Sequence, residues 1–371
     1  MNARERVMKA WGLMEGFPDR VPIQFDLCES LLSHFSKELD LPLSITRNLY
    51  EDVTWRISGN EVRLALGSDI VVTGAAESSS FNPEIDESGT WLNEYGMRMK
   101  QGSIYVEIVD YPLKDVETIE DLKKTIVFPD LSLPGRFDDA SALVKKYKDD
   151  YFIIGDIEVT ILTLVQQMVG MEKMMIDMAL GEEYLPVFIN MVTDFHIEHG
   201  LKLIDQGVDA LWIGDDFGAQ NGLLFSKDMF RNIWKPSYIR MCNAFREKNP
   251  EINLILHCDG AVSELMDEFI EIGFQVFNPV QPGVAGHEPH HMKDGWGDRI
   301  AFWGAIDQQE LIPLGSDEEL EKDILEKISI LGAGGGYVIA PAHILQPDVS
   351  PERVKTFIKL CLKHGSIYQE R

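Results

Sequence analysis

Short apolar runs alternate with longer amphipathic segments along nearly the whole chain. Continuous apolar runs rich in β-branched and aromatic residues are typical of strands buried on both faces of a parallel sheet. Each run is followed by a polar residue or two before the next amphipathic segment begins. The pattern predicts eight strands, at Val21–Asp26, Asp69–Thr73, Tyr151–Asp156, Asp209–Asp215, Ile252–His257, Phe274–Asn278, Ile300–Ala305 and Tyr337–Ala340.

Two of the amphipathic segments carry clear signals for the start of a helix. Ser316 followed by Glu319 forms a capping box, which predicts a helix over Glu319–Leu331. Ser350 stands directly before Pro351, so a capping residue precedes a proline suited to the first helical position, and a helix is expected over Val354–Leu362.

Strands that alternate with helices predict an α/β fold with a parallel sheet. Eight repeats favour closure into a (β/α)8 TIM barrel, here with an N-terminal helical elaboration. The stretch 77–113 departs from this rhythm, because its residues alternate like an antiparallel hairpin inserted into the barrel. No linker rich in Gly, Pro or Ser divides the chain, so a single domain is expected over residues 1–371.

The charge of the chain narrows the classes of partner. Thirty-four Lys and Arg against 61 Asp and Glu give a formal net charge of −27. A surface this acidic repels phosphate backbones and anionic lipids, which argues against binding to nucleic acid or to a membrane surface. Met1–Gly12 is charged rather than signal-like, and no apolar stretch is long enough to span a bilayer. The four cysteines are scattered, which favours a reducing cytoplasm.

Polar side chains gather where the predicted strands end. In a TIM barrel the chemistry takes place in the loops at the carboxyl ends of the strands, so these residues are expected to converge on one rim. They are Gln24, Asp26, Thr73, Asp156, Glu158, Asp215, Asp216, His257, Cys258, Asp259, Asn278, Gln281, Asp307 and His343.

The sharpest local feature is the run from His257 to Gly260 after the fifth predicted strand. Imidazole, thiol and carboxylate follow one another in it, and all three are common zinc ligands. Gly260 permits a tight turn that would let two of them face inward. Two readings stay open: a metal site completed by the distant His343, or a hydrogen bond between His257 and Asp259 with Cys258 packed in the barrel wall.

Other ionisable groups are weaker candidates for a functional site. The histidines of 287–291 stand in a long loop and are expected to form a solvated rim, and His196 and His199 are expected to be exposed on a long helix. Asp215 and Asp216 could act as an acid–base pair, but one of two adjacent residues usually points away from a site.

In order and spacing, the segments resemble the uroporphyrinogen decarboxylase superfamily from about Val21 to Phe357. This resemblance implies a TIM barrel. The segments that carry it are Gly207–Asp216, Phe230, Trp234–Tyr238, Leu256–Gly260, Gly304–Asp307, Ala340–Pro347 and Ser350–Val354.

One branch of that superfamily consists of decarboxylases. These carry an arginine-rich segment after the first strand, which grips the carboxylates of a tetrapyrrole. The corresponding stretch here, Phe25–Leu32, contains no arginine and offers Asp26 and Glu29 instead. His343 does match a histidine in the decarboxylase active site, so a decarboxylase or lyase that works without metal is the alternative function.

The other branch consists of corrinoid-dependent methyltransferases, which bind zinc through a His-x-Cys pair after the fifth strand and a Cys after the eighth. The resemblance places His257, Asp259 and His343 at these positions, with Cys258 as a further candidate ligand. It implies a zinc-dependent enzyme that moves a methyl group between a small methylated substrate, for example a methoxy compound, and a corrinoid protein.

This interpretation also assigns roles to the remaining strand-end residues. The candidate catalytic residues are Asp216, Glu158 and Asp307, and the candidate substrate-binding residues are Gln24, Asp26, Asp156, Asn278 and Gln281.

The superfamily further implies a homodimer. A third possible function is that of a catalytically silent barrel that binds a corrinoid or tetrapyrrole as a carrier.

Overall fold

The computed structural model describes residues 1–48, 55–103 and 105–366. Ile104, part of the predicted hairpin, and residues 49–54 and 367–371 of the predicted single domain lie outside the described residues. The strands of the described part are β1 Ile70–Gly74, β2 Thr90–Leu92, β3 Arg98–Gln101, β4 Val106–Asp110, β5 Phe152–Asp156, β6 Ala210–Gly214, β7 Gly218–Ala219, β8 Gly222–Leu223, β9 Asn253–His257, β10 Val276–Val280, β11 Ala301–Ile306 and β12 Tyr337–Pro341.

Helices separate these strands along the chain. None of the described helices combines the length and the hydropathy that crossing a lipid bilayer requires. The helices are α1 Ala3–Ala10, α2 Glu29–Glu38, α3 Asn60–Leu66, α4 Ile119–Thr125, α5 Asp138–Tyr147, α6 Ile161–Val169, α7 Met171–Leu180, α8 Tyr184–Gln206, α9 Lys227–Met229, α10 Lys235–Lys248, α11 Met266–Ile272, α12 Pro289–Trp296, α13 Leu311–Leu314, α14 Asp317–Leu331 and α15 Pro351–His364, with a π-helix at Phe230–Trp234 and a 3₁₀ turn at Ser263–Leu265.

The main sheet is parallel and follows the order of the chain. Its seven described strands run β1-β5-β6-β9-β10-β11-β12, with every neighbouring pair parallel. All residues of these strands are buried, as the continuous apolar runs predict. The sheet curls, and the α/β, TIM-barrel-like fold predicted from the sequence is confirmed.

The first predicted strand, Val21–Asp26, is present only as isolated parallel bridges. Ile23 pairs with Ile339 of β12, and the backbone N–H of Asp69, just before β1, donates to the carbonyl of Ile23 at 2.9 Å. The segment therefore lies between the two edges of the sheet and joins them. It is not a continuous strand because the Ile23 N–H is taken by the Asp69 carboxylate at 2.8 Å and Pro22 has no N–H.

Two apolar layers enclose the sheet. One fills the inside of the barrel, where Trp11 closes the end opposite the strand carboxyl termini by packing against Phe152 and Trp303, with ring centroids 5.1 and 5.9 Å apart. The other lies between the sheet and the surrounding helices. Polar groups at the carboxyl ends of the strands are thus held on a rigid, fully packed frame.

Both predicted helix starts are present. The Ser316 side chain accepts from the Glu319 N–H at 3.2 Å, and α14 begins at Asp317, two residues before the predicted start. The Ser350 side chain accepts from the Arg353 N–H at 3.3 Å, and α15 begins at Pro351. The signals were correct because each cap satisfies a backbone donor that the first helical turn leaves unpaired.

The inserted region is larger than a hairpin. It is a three-stranded antiparallel sheet, β2-β3-β4, because the alternating stretch 91–99 turns back on itself at Gly96, whose φ of +77° suits a glycine. Arg136 ties this small sheet to the barrel. Its guanidinium donates to Glu94 Oε1 at 2.7 Å and to the carbonyl of Ala76 at 3.1 Å.

Candidate active site

Three potential metal ligands meet at the carboxyl ends of the strands. His257 is the last residue of β9, Asp259 follows it in the next turn, and His343 follows β12. One ligand atom from each lies within 4.8 Å of the other two, and the ring centroids of the two histidines are 6.2 Å apart. His257 Nε2 and Asp259 Oδ2 are 3.8 Å apart, too far for the direct hydrogen bond that the alternative reading required.

The orientation of the His257 ring is fixed by two neighbours. Its Nδ1 lies 2.6 Å from Asn278 Oδ1, and Trp212 stacks on it with centroids 5.4 Å apart. Because an amide oxygen only accepts, Nδ1 carries the proton and the Nε2 lone pair is left for another partner. Asn278, a candidate substrate-binding residue from the sequence, contacts this histidine through its side-chain oxygen.

The partners that Nε2 faces are both acidic. Besides Asp259, Glu158 Oε1 lies 3.9 Å away. A neutral imidazole would direct its lone pair at two carboxylates, which is repulsive unless a proton or a metal cation lies between them. Burial disfavours protonation, but the charges of Glu158 and Asp259 outweigh it and raise the pKa of His257. For His343, burial dominates and lowers the pKa.

Arg56 is a central residue of the site that the sequence did not reveal. Its guanidinium is buried, bonds Glu158, donates through Nε to Asp26 Oδ2 at 3.1 Å and lies 3.5 Å from Asp156 Oδ2. It also lies over the Trp212 ring, 4.1 Å from the centroid. Burial opposes ionisation of Glu158, but Arg56 outweighs it and lowers the pKa of Glu158 to about 2.

Asp26 has little capacity left for a substrate. Its Oδ1 accepts from Arg63 Nη1 at 2.7 Å and from Gln24 Nε2 at 2.8 Å, and its Oδ2 accepts from Arg56. Gln24, Asp26 and Arg56 nevertheless line a small cavity together with His257 and His343. Asp156 is turned towards the same cluster, and its Oδ1 accepts from the Glu158 N–H at 2.9 Å.

The adjacent aspartates Asp215 and Asp216 point to different places. Asp215 accepts from the N–H groups of Ile161 and Thr163, both at 2.7 Å, and bonds the Tyr238 hydroxyl, so it caps α6. Asp216 faces the site, where its Oδ1 accepts from the Asp259 N–H at 2.7 Å. Burial raises the pKa of both carboxyls to about 6, and for Asp216 the charge of Asp259 adds to this effect.

Replacing Asp215 with alanine is expected to lower the free energy of unfolding by about 3 kcal/mol, because two N–H groups and a buried hydroxyl lose their acceptor. Urea unfolding followed by circular dichroism measures this loss. Asp215→Asn keeps one acceptor oxygen and should lose clearly less. Equal losses for the two variants would contradict a capping role.

The turn that carries Asp259 is pinned from both sides. The Gly260 N–H donates to Gln281 Oε1 at 2.7 Å, so Gln281, a predicted substrate ligand, shapes this turn. Gly260 has φ of +88°, and a Cβ there would lie 2.4 Å from the backbone of Gly218. The predicted tight turn is therefore present, and Gly260 leaves room for the neighbouring backbone.

Cys258 points away from this group. Its side chain is fully buried, and its Sγ accepts from the Phe217 N–H at 3.3 Å, so it packs in the barrel wall and is not among the three gathered ligands. Burial raises the pKa of its thiol well above the usual value. Asp307 is also engaged elsewhere, since its Oδ1 accepts from the N–H groups of Gln309 and Glu310 in its own turn, at 2.7 and 3.2 Å.

Three histidines expected to be exposed are buried. His196 and His199 lie on α8, and burial lowers the pKa of both. The exposed expectation was wrong because α8 packs against the helices α4, α5, α6 and α10 and against β5, and Phe137 and Phe195 contact these histidines. His287 is buried too, with its ring nitrogens 3.3 Å from the N–H groups of Val262 and Gln281, so it packs under the rim instead of forming a solvated part of it.

Comparison with known proteins places the chain in a family. A match to a uroporphyrinogen decarboxylase from Schizosaccharomyces pombe has 24% identity over 184 residues and spans 48% of each chain, about half the length of that relative. A uroporphyrinogen decarboxylase from Ruthia magnifica subsp. Calyptogena magnifica is 24% identical over 258 residues, 67% of this chain and 70% of its own.

A solved structure extends the similarity to the whole fold. A methyltransferase from Methanosarcina mazei superposes with a TM-score of 0.69 at 15% identity, covering 98% of this chain and 99% of its own. The family model for uroporphyrinogen decarboxylase (URO-D) matches residues 91–364, which is well over half of the chain. As its order of segments indicated, the chain belongs to the uroporphyrinogen decarboxylase family.

Proposed function

We propose that this protein transfers a methyl group between a small methylated substrate, such as a methoxy compound, and a corrinoid protein, using a zinc ion bound by His257, Asp259 and His343. The observation that carries this proposal is the meeting of the three ligand atoms within 4.8 Å. Two imidazoles and one carboxylate are a common ligand set for catalytic zinc, which keeps a fourth position open for substrate.

The surroundings of the three ligands also suit a cation. Asn278 holds the Nδ1–H of His257 and directs Nε2 towards Asp259, as an outer partner of a metal-binding histidine does. Glu158 adds a further negative charge beside Nε2. When bound, zinc would act as a Lewis acid that stabilises negative charge on the heteroatom losing its methyl group.

The reaction also requires a proton at that heteroatom. The bond between the heteroatom and the methyl carbon would break, the Co(I) corrinoid of the partner protein would supply the electron pair for its new bond to this carbon and become Co(III), and the heteroatom would gain a proton. Asp216 suits this proton transfer by its position, because its carboxylate faces the site and its Oδ1 accepts from the Asp259 N–H at 2.7 Å.

The remaining predicted residues have supporting roles in this proposal. Glu158 stays ionised and, with Asp156, is held by Arg56, so the Glu158 carboxylate keeps its position beside His257. Gln24 and Asp156 are proposed to contact the substrate. The Oδ1 of Asp307 accepts from N–H groups of its own turn, and a catalytic role for this carboxylate is kept as part of the proposal.

Methyl transfer is tested by incubating the purified protein with a reduced corrinoid protein and a panel of methylated compounds, with and without a zinc chelator. The expected result is a change in the visible spectrum that reports a methylated corrinoid. This change should disappear with the chelator and return when zinc is added back.

The chelator could also disturb the corrinoid assay directly. A reaction without the enzyme, which contains the chelator and a slight excess of zinc over it, checks for this effect. No spectral change with any compound, from protein shown to contain one zinc per chain, would contradict the proposed methyl transfer.

Decarboxylation without metal is the second candidate, favoured by the curated relatives, which are named uroporphyrinogen decarboxylases. His343 and Asp216 would then serve as acid and base. Against it, Arg56 and Arg63 are already paired with carboxylates of the chain, which leaves less positive charge for an acidic substrate. Release of carbon dioxide from uroporphyrinogen, unaffected by a chelator, would favour this function.

A further inference from the structure

A short hairpin at the rim of the barrel lies outside the residues assigned to methyl transfer. It follows β6 and consists of β7 and β8, which are joined by Gln220 and Asn221. Gln220 Nε2 donates to the carbonyl of Gly283, in the segment after β10, at 3.0 Å. Because β9 lies between β6 and β10 in the sheet, the hairpin crosses the turn that follows β9.

The start of this hairpin lies directly against that turn, which carries Asp259. The Asp259 N–H donates to Asp216 Oδ1 at 2.7 Å, just before the hairpin begins. The Ala261 N–H donates to the carbonyl of Ala219 in β7 at 2.8 Å. The turn is therefore bonded to the segment after β6 on both sides of Gly260.

Gly218 permits this close approach because it has no side chain. A Cβ atom on Gly218 would lie 2.8 Å from the N atom of Ala261 and 2.8 Å from the carbonyl carbon of Gly260, well inside van der Waals contact. Both are backbone atoms, which cannot turn away as the end of a side chain can. Gly218 is not among the residues with positive φ, so the lack of space requires glycine here and not the backbone conformation.

The Asp259 carboxylate depends on the turn for its position. Among the residues that the structure describes, none forms a hydrogen bond with its oxygens, and Oδ2 lies 3.8 Å from His257 Nε2. The His257 ring, in contrast, is held by Asn278 and by stacking on Trp212. An aspartate side chain is short and has few rotamers, so the place of its backbone decides where its oxygens can lie.

We propose that the hairpin β7-β8 positions Asp259 as a metal ligand and that Gly218 is the positioning residue. The assignment rests on the proposed function, because it concerns the ligand group that would hold zinc there. Groups that orient metal ligands commonly change metal affinity about 10–100-fold. The hairpin acts in this way through its backbone, by keeping the Asp259 turn in place.

The zinc affinity of the full chain is measured by competition with a chromophoric chelator. Gly218→Ala is expected to weaken zinc binding at least about tenfold, because the added Cβ forces the hairpin or the turn to move. Gly222→Ala is the matched control in the same hairpin. No described atom apart from its chain neighbours lies within 4 Å of the added Cβ, so the affinity should stay within about twofold of wild type.

The double variant Gly218→Ala/Asp259→Ala distinguishes positioning from a general loosening of the rim. Asp259→Ala removes the ligand itself, so adding Gly218→Ala should weaken zinc binding by less than about twofold more. A further tenfold loss in the double variant would overturn the assignment, and so would wild-type affinity in Gly218→Ala.

Amide hydrogen exchange of the wild-type protein tests the same coupling if Gly218→Ala does not fold. If the closed hairpin favours zinc binding, zinc must favour the closed hairpin by the same factor. The Leu224 N–H, which donates to the Phe217 carbonyl at 2.9 Å, should therefore exchange about tenfold more slowly with zinc. The Asn93 N–H, bonded to the Met97 carbonyl in the small sheet, should exchange at the same rate. An unchanged rate at Leu224 would contradict the proposal.

These experiments use no corrinoid protein, so failure of this assignment differs from failure of the proposed function. If the wild-type protein binds zinc and Gly218→Ala binds it equally well, only the role of the hairpin is wrong. If the wild-type protein binds no zinc, the ligand group itself is wrong, and the proposed function and this assignment are both contradicted.

Discussion

Replacing His257 with alanine is expected to abolish tight zinc binding and to lower the rate of methyl transfer by at least about 1,000-fold. A factor of this size corresponds to about 4 kcal/mol of transition-state stabilisation, which is reasonable for the loss of a Lewis acid. The variant keeps only Asp259 and His343 as ligands, and two ligands hold zinc weakly. Metal content after dialysis and the affinity measured against a chromophoric chelator test the first part, and the corrinoid assay tests the second.

His34→Ala serves as the histidine control, because the His34 side chain is 46% exposed on α2, where it pairs with Glu38. This variant should keep one zinc per chain. Asn278→Ala should give an intermediate result, with zinc affinity reduced about 10–100-fold, since it removes the acceptor that orients His257 without removing a ligand. A folded His257→Ala protein that retains one tightly bound zinc would disprove the assigned ligand set.

Much of the fold could be predicted from the local sequence, because the secondary structure that short segments favour is the one they adopt in the folded chain. The strands buried on both faces leave uninterrupted apolar runs, and the start of α14 is marked by a capping box that satisfies its own backbone. The first strand was misread because Asp69, remote in sequence, takes the Ile23 N–H that a ladder would have used. Such competition between a side chain and a ladder leaves no local pattern.

The gathering of His257, Asp259 and His343 could be anticipated from a single rule. Residues at the carboxyl ends of the strands of a barrel lie around one rim, so even those of non-adjacent strands such as β9 and β12 can meet there, whatever the length of chain between them. The rule does not say which way each side chain turns. Cys258 and Asp259 are consecutive, and only the packing of Cys258 against Phe217 shows that the thiol belongs to the wall.

Arg56 could not be found in the same way. It lies at no strand end, and it reaches Glu158 across a separation of 102 residues through a long side chain. What places it in the site is the charge of the carboxylates that surround it, and this charge becomes visible only after the strands are assembled. The same limit explains His196 and His199, whose burial depends on what covers α8 and not on the pattern of α8 alone.

Replacing Arg56 with methionine is expected to lower the free energy of unfolding at pH 7 by about 3–5 kcal/mol, which is the usual cost of removing one partner from a buried ion pair. Asp26, Asp156 and Glu158 would lose their shared cation, and Asp156 is almost fully buried. Urea unfolding at several pH values measures the loss. Arg299→Met is the control, because the Arg299 side chain is 44% exposed and pairs with an exposed Asp267, so its loss should cost under about 1 kcal/mol.

The pH dependence distinguishes an electrostatic role for Arg56 from simple packing. Arg56 lowers the pKa of Glu158 to about 2, below the ordinary value of 4.5, so this stabilisation is present above pH 4.5 and is lost as the pH falls towards 2. The difference between wild type and Arg56→Met should therefore be smaller at pH 3 than at pH 7, with most of the change below pH 4.5. Adding Glu158→Gln to Arg56→Met should recover part of the stability at pH 7, since one unpaired carboxylate is removed. A loss that is the same at both pH values, with no recovery in the double variant, would show that Arg56 stabilises the site by filling space and not by its charge.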